Sequence, residues 1–516
     1  MSLTELTNKL NVHVENEQEL KPILNEIIEL LKDQKYRNSV TCEFINYIVN
    51  QIDIRKNSTP AIVVYYIRIL RNCCANSPIN QSHAHNEKLM LFIYNLFQHN
   101  HELLFSVSTV QTTVQLFINM IVQNDDVQRL VWSEFYPDVL IKSIKNNIEN
   151  KDKCKIIPML LMALYNFIIS SKERRDDVVS NALLVDLVMS LLSENDVGEG
   201  GEDEQYQDQL FHWIHLIVKL LIDNDYFSIM YSKLGSQEQN ILLTKGKSTV
   251  NQLKLVKLLE ALVTDKKNIR DYIESNSLID MQACLFLLSE LSQLYNLDFS
   301  RESATATNTT TALNNNDFNI LFHIIKLFAN VTSYSDEMLS LMTAKSLKND
   351  DNQLNTILCK KGLLAICIGS LHGNYSSADL VDGQQQKQQH KESDEGSGFK
   401  KELIRIIGNL AYKNKNNQDE IRELGGIEII LNHCRFDPSN PYIREWSIFA
   451  IRNLCDENLQ NQQLIQNLKM QGVAKNEELQ DLGIQIETTE NGTLKFTQTP
   501  KNPTTTITTI IIKIII

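Results

Sequence analysis

Apolar residues recur along this chain at helical spacing, and the same polar letters return with them. In "LIRIIGNLAYKNKNNQDEI", Ile406 and Ile407 stand three and two places before Asn409, and Leu410 follows it. "SIFAIRNLCDENLQNQQLI" repeats the frame 44 residues later, with Ala450 and Ile451 before Asn453 and Leu454 after it. Asn414 and Asn458 lie five places past the anchors, Asn417 and Asn461 eight, and Gln418 and Gln462 nine.

The frame runs upstream with decay. "YIRILRNCCANSPINQ" sets Ile69 and Leu70 before Asn72, then Asn80 and Gln81. "QLFINMIVQNDDVQ" sets Leu116 and Phe117 before Asn119, then Asn124 and Gln128. "LMALYNFIISS" and "IIKLFANVTS" place Asn166 and Asn330 in the same way. The six anchors are spaced by 47, 47, 164, 79 and 44 residues. "HLIVKLLID" near Lys219 and "LVKLLEALVT" near Ala261 carry the apolar pattern without the Asn and divide the longest interval. Polar low-complexity segments at 301–316 and 376–398, and the acidic insert "ENDVGEGGEDE" from Glu194, account for the remaining excess.

A helical period of roughly 40–47 residues belongs to armadillo and HEAT solenoids, whose units bury their apolar faces only by stacking. The last full unit is legible helix by helix. "NQDEIRELGG" ends on Gly425-Gly426, suited to a helix stop; "IEIILNHC" follows; "DPSNP" breaks the chain, with Pro441 suited to the first turn of "YIREWSIFAIRNL". Three helices per unit favour armadillo. The expected fold is all-α: an armadillo-like α-solenoid of about eight units from Asn72 to Asn453. "LNEIIELL" and "CEFINYIV" add an N-terminal cap or a further repeat. The expected division is 1–300 for N-terminal repeats, 301–316 for a low-complexity insert and 317–485 for a C-terminal armadillo-like domain, itself interrupted by a disordered insert at 376–398. Residues 486–516 are expected to form a disordered Thr/Ile-rich tail, with a stray strand as the other reading from about Glu487.

Composition agrees with long helices: 17 Gly and 9 Pro in 516 residues leave little for tight β-turns. The net charge of −13 makes nucleic acid a poor default partner. Nine cysteines, an odd number in a long chain, do not suggest a disulfide framework. The first twenty residues lack a signal-peptide core, and "ITTIIIKIII" is about half of the roughly 20 residues that span a bilayer. A cytoplasmic protein without a membrane span is the expectation.

Nothing in the pattern calls for catalysis. There is no Gly-rich phosphate loop and no nucleophile elbow. His83 and His85, with His99 and His101, flank one helix, but no carboxylate or thiol pattern completes a metal site. His212 and His215 suit core or groove packing beside Trp213. Neither an enzyme, a cofactor nor a metal is expected.

The anchors Asn72, Asn119, Asn166, Asn330, Asn409 and Asn453 should form a ladder along the stack. They serve either to satisfy buried main-chain groups at helix ends or to bind an extended peptide. Asn417, Asn461, Gln418 and Gln462 are expected to cap the following helix. Four places before the anchors stand Arg68, Gln115, Met162, Lys326, Arg405 and Phe449. The Trp that nuclear-import armadillo adaptors carry there is absent. Arg444 and Trp446 are of the residue types that dominate interfaces, although Trp446 fits a core equally well.

Residues 398–465 resemble the C-terminal domain of the ataxin-10 family. The match runs through Gly408-Asn409-Leu410, Asn417-Gln418, Gly425-Gly426-Ile427, Asp437, Asn440-Pro441, Arg444-Glu445-Trp446 and Ala450-Ile451-Arg452-Asn453-Leu454. "ILRNCCANSPINQ" is similar to the family's N-terminal signature. The resemblance implies a cytoplasmic, non-catalytic scaffold linked to cytokinesis, with perinuclear, centrosomal or midbody association. It also implies homo-oligomers formed through the C-terminal domain. A G-protein β subunit and an O-linked N-acetylglucosamine transferase are the partners it implies. A cargo or transport adaptor that holds extended peptides in its groove is the alternative reading.

Overall fold

The computed structural model describes residues 3–12, 16–99, 105–149, 155–192, 202–235, 248–264, 281–299, 315–333, 354–372, 398–468, 484–488 and 494–498. The low-complexity inserts and the Ile-rich end fall almost wholly outside these residues.

Several units are built from three helices among the described residues. One example runs Lys415–Glu423, Gly426–Asn432 and Ile443–Cys455. Earlier units repeat it as Pro78–Ala84, Glu87–His99, Val107–Ile121, and as Asp125–Phe135, Asp138–Glu149, Ile157–Ile168. The third helices stack in sequence order as far as Glu202–Ile222 and again from Val250–Thr264 onward. Pro60–Cys74 lies between Glu17–Leu30 and Val107–Ile121; Ile157–Ile168 packs on Val107–Ile121 and on Glu202–Ile222. Beyond, Val250–Thr264 packs on Asn315–Val331, and Phe399–Ala411 lies between Asn315–Val331 and Ile443–Cys455. The helices before Pro60 are a further repeat, because Glu17–Leu30 forms a layer of the same stack.

Burial follows the sequence frame. The residues three and two places before each anchor are buried, from Ile69 and Leu70 to Ile406 and Ile407. In the last third helix Ala450 is buried but Ile451 only partly so, since no later third helix covers it among the described residues. Rings fill the amino-terminal core: Phe117 meets Phe97 at 5.4 Å and Phe135 at 5.0 Å, and Phe135 meets Phe167 at 5.8 Å. Such edge, tilted and stacked contacts add to plain area burial.

Two joints depend on glycine. Gly425 takes φ +72 between the first and second helices of its unit, a conformation costly for side chains with a Cβ. At Gly408 a Cβ would meet Ala450 Cβ at 3.2 Å and its Cα at 3.3 Å, so the last two third helices approach closely there. Pro441 stands before the final third helix rather than in its first turn: Tyr442, at φ +66, is the N-cap and Ile443 opens the helix.

Of the carboxy-terminal stretch expected to be disordered or a stray strand, the described residues are strands, and residues 499–516 lie outside the described residues. Ile484–Thr488 and Leu494–Gln498 form an antiparallel pair with Ile486 opposite Phe496. Alternation of apolar and polar residues in both runs supports strands, and the Asn491-Gly492 dipeptide between them is a strong hairpin signal. Among the described residues no helix is long and apolar enough to cross a membrane.

Candidate functional site

The anchors sit one turn or less before the end of each third helix, where carbonyl groups lack partners within the helix. Their side chains serve those carbonyls on the neighbouring layer. Asn119 Nδ2 donates to Arg71 O at 3.0 Å, and Asn453 Nδ2 to Gly408 O at 2.9 Å. Asn409 Nδ2 donates to Ala329 O and to Thr332 Oγ1, both at 3.2 Å. In each case the acceptor carbonyl belongs to the residue just before the preceding anchor. Asn72 Nδ2 reaches Ile28 O at 3.1 Å, which puts Glu29 in the anchor place of the first layer.

The two other anchors depart from this rule. Asn166 donates to Met162 O of its own helix at 2.8 Å. Asn330 donates to Thr264 Oγ1 at 2.7 Å and accepts from Arg405 at 2.5 Å. The interval between them contains the layers that lack the Asn.

A second set of amides runs in the opposite direction. Gln81 Nε2 donates to Cys74 O at 3.2 Å within its unit and forward to Asn119 O at 2.9 Å. Gln128 does the same to Ile121 O at 2.8 Å and Asn166 O at 3.3 Å. Gln418 reaches Ala411 O, Asn453 O and Asp456 O at 3.2, 2.9 and 3.3 Å. Arg175 stands in this place in its unit and donates to Ile168 O and Ile169 O. The joints of Pro60–Cys74 with Val107–Ile121 and of Phe399–Ala411 with Ile443–Cys455 are therefore tied twice, backward by Asn and forward by Gln.

The expectation that residues at offsets eight and nine cap helices is corrected. The caps are the residues at offset five. Asn124, Asn414 and Asn458 accept from the main-chain N–H groups of Val127, Asn417 and Asn461 at 3.2, 3.1 and 3.2 Å. A cap serves the N–H two or three residues later, so offset five matches offset eight. Asn417 and Asn461 are instead buried, donating to Leu410 O and Leu454 O at 2.8 and 2.7 Å.

The residues four before the anchors line the exposed side of the third helices. Arg68 donates to Ser108 Oγ at 3.2 Å. The Arg405 guanidinium bonds Glu402 at 2.9 Å and lies 5.7 Å from the ring centre of Trp446. Phe449 meets Trp446 edge-on at 5.7 Å. Trp446 is half-buried between them, and Arg444 is exposed. The structure thus joins Asn330, Arg405, Asn409 and Trp446 in one neighbourhood across three layers. Phe436, Tyr442 and Ile448 of the same unit are 83%, 72% and 52% exposed. Sequence reasoning passed over these three, although large apolar letters inside a polar loop or on a helix's outer face were there to be noticed.

The histidines do not gather. His83 closes the helix Pro78–Ala84, His85 lies 3.6 Å from Glu134, and His101 lies outside the described residues. No group of three His, Cys, Asp or Glu able to hold a metal occurs among the described residues. Burial pushes the Cys73 thiol up to about 12 and that of Cys74 well above its ordinary value. His215 is stacked on Phe211, and burial followed by the Lys219 charge lowers its pKa.

Comparison with known proteins agrees with this architecture. Residues 399–497 match the family model described as the spinocerebellar ataxia type 10 protein domain, a span that reaches into the second strand of the hairpin. An ataxin-10 homolog of Dictyostelium discoideum is 44% identical over 468 residues, covering 75% of this chain and 76% of that protein. Human ataxin-10 is 25% identical over 476 residues, covering 90% of this chain and 87% of its own length. With that level of identity sustained over most of both chains, the protein belongs to the ataxin-10 family.

Proposed function

We propose that this chain is a non-catalytic protein-binding scaffold that associates with further copies of itself through its last repeat. The observation that carries the reading is the surface of the unit Lys415–Cys455. Phe436, Tyr442 and Ile448 are exposed there beside Arg444 and the half-buried Trp446. Aromatic and Arg residues of this kind anchor interfaces. The partly uncovered Ile451 lies on the face that a following layer would occupy. The domain that matches residues 399–497 is also named for homo-association.

A role in cytokinesis, a cytoplasmic location and partners such as a G-protein β subunit or an O-linked N-acetylglucosamine transferase extend the proposal by family resemblance. Peptide binding along the third helices is a second reading. It is favoured by the row Arg68, Gln115 and Met162, which stays on the exposed side while the anchor amides bond the stack.

Light scattering of the full chain at tens of micromolar tests self-association. An oligomer that becomes a monomer on Ile448→Asp supports the reading; a monomeric wild-type protein rejects it. Recovery of the chain's partners from dividing cells, repeated with I448D, tests whether scaffold contacts use the same unit.

A further inference from the structure

We propose that the third helices Pro60–Cys74, Val107–Ile121 and Ile157–Ile168 hold an extended peptide carrying carboxylate side chains about six residues before a bulky apolar residue. The proposal rests on the peptide-binding reading of this face.

Arg68 and Arg71 are neighbours on one helix at a spacing of three, which puts their side chains on the same side. Neither has a carboxylate partner among the described residues. Arg68 donates to the hydroxyl of Ser108. Arg71 donates to Asn72 Oδ1 at 3.2 and 3.0 Å and to Gln115 Oε1 at 2.8 Å. Every bond that fixes the two guanidiniums thus goes to a neutral oxygen. Burial, and then the charge of Arg68, lower the pKa of Arg71. In a chain of net charge −13, two adjacent guanidiniums held in place and not neutralised are a site for an anion.

The next two layers decide what kind of anion. Arg68, Gln115 and Met162 hold the same place, four before the anchor, on three stacked helices. Beside Met162 stands Tyr165, whose ring lies 5.9 Å from that of Trp213 on the following layer. Met162, Tyr165 and Trp213 are all only partly buried. Charge at one end and apolar surface at the other suit an extended acidic peptide better than a nucleic acid, whose charge repeats along its whole length. Packed helices are roughly 10 Å apart, so two layers span roughly 20 Å. That is about six residues of extended chain at roughly 3.3 Å each.

The test is fluorescence anisotropy with the full chain and a fluorescein-labelled peptide: Glu-Glu, four Gly/Ser residues, then Leu-Phe, which sets each apolar residue six after a Glu. A second peptide carries Gln-Gln in place of Glu-Glu. The wild-type protein is expected to bind the Glu peptide about tenfold more tightly than the Gln peptide. R68Q/R71Q should erase that preference, and R68K/R71K should restore part of it. If R68Q/R71Q melts below the assay temperature, R68Q alone is read, since it loses one bond to exposed Ser108. It should weaken the Glu peptide about threefold.

Unchanged Glu-peptide binding by the Gln variants, together with its loss in Met162→Glu, overturns the guanidinium assignment and leaves the groove reading standing. No binding of either peptide overturns both. Displacement of the Glu peptide by single-stranded DNA at equal charge concentration overturns the assignment to a peptide.

Discussion

Asn453 donates its Nδ2 to the carbonyl oxygen of Gly408 at 2.9 Å, at the same residue whose lack of a Cβ lets Ala450 approach closely. The bond and the close approach depend on each other. A larger residue at 408 would separate the helices and lengthen the bond, and without Asn453 a buried carbonyl would lose its partner on the next layer.

Removal of the ladder amides should therefore destabilise unequally. Asn453→Ala should cost about 1–3 kcal/mol, the range for leaving a buried partner unsatisfied. Asn166→Ala should cost less, because among the described residues that amide bonds Met162 O of its own helix and no other layer. Thermal melts and hydrogen exchange of the Ile443–Cys455 amides check the ranking, and equal losses at both sites would contradict it.

Gln418→Ala should cost at least as much as Asn453→Ala. Gln418 donates to three carbonyls in two units and accepts from Asn458 Nδ2 at 3.1 Å. Because Gln418 also bonds Asn453 O, the double variant should lose less than the two single losses combined. A double-mutant cycle in urea measures the coupling.

Gly408→Val should destabilise by about 1–3 kcal/mol through overpacking against Ala450. Gly408→Val combined with Ala450→Gly should recover part of the loss. Denaturation midpoints of the three variants decide this.

Asp419 supplies a pH dependence. The Asn458 amide, the Arg422 guanidinium and the Lys415 ammonium hold its carboxyl well below the usual carboxylate range. A depressed folded-state pKa contributes stability that is fully present above the unfolded value of about 4 and is lost as pH falls toward the folded value. Asp419→Asn should melt below wild type at pH 7, and the difference should shrink on acidification below about pH 4. Melting curves at pH 7, 5, 4 and 3 test it; a gap that widens in acid would reverse the argument.

The stacking order was legible because one frame fixes both the buried pair before each anchor and the amide after it. Ile406, Ile407 and Asn409 could be aligned with Ile69, Leu70 and Asn72 from letters alone. The acceptors were not legible: an Asn shows two donors and an acceptor, but not that they face the carbonyl before the preceding anchor. The caps were misplaced for a related reason. Offsets five and eight both hold Asn in the last two units, and only their hydrogen bonds separate the residue that caps from the one that is buried. The paired strands Ile484–Thr488 and Leu494–Gln498 were only half legible, because the Ile-rich end beyond them drew the reading toward disorder with a strand as the alternative. That Arg68 and Arg71 have no acid among the described residues depends on which side chains surround them, a relation no local window contains.

At the Asn72–Asn119 and Asn409–Asn453 joints the forward and backward ties are both written within one 44–47-residue frame. Duplication of one such segment would bring its own donors and leave acceptors in place for the next copy. The length of the rod is therefore open to evolutionary change without redesign of any joint, whereas slippage of one residue inside a segment would break both ties together.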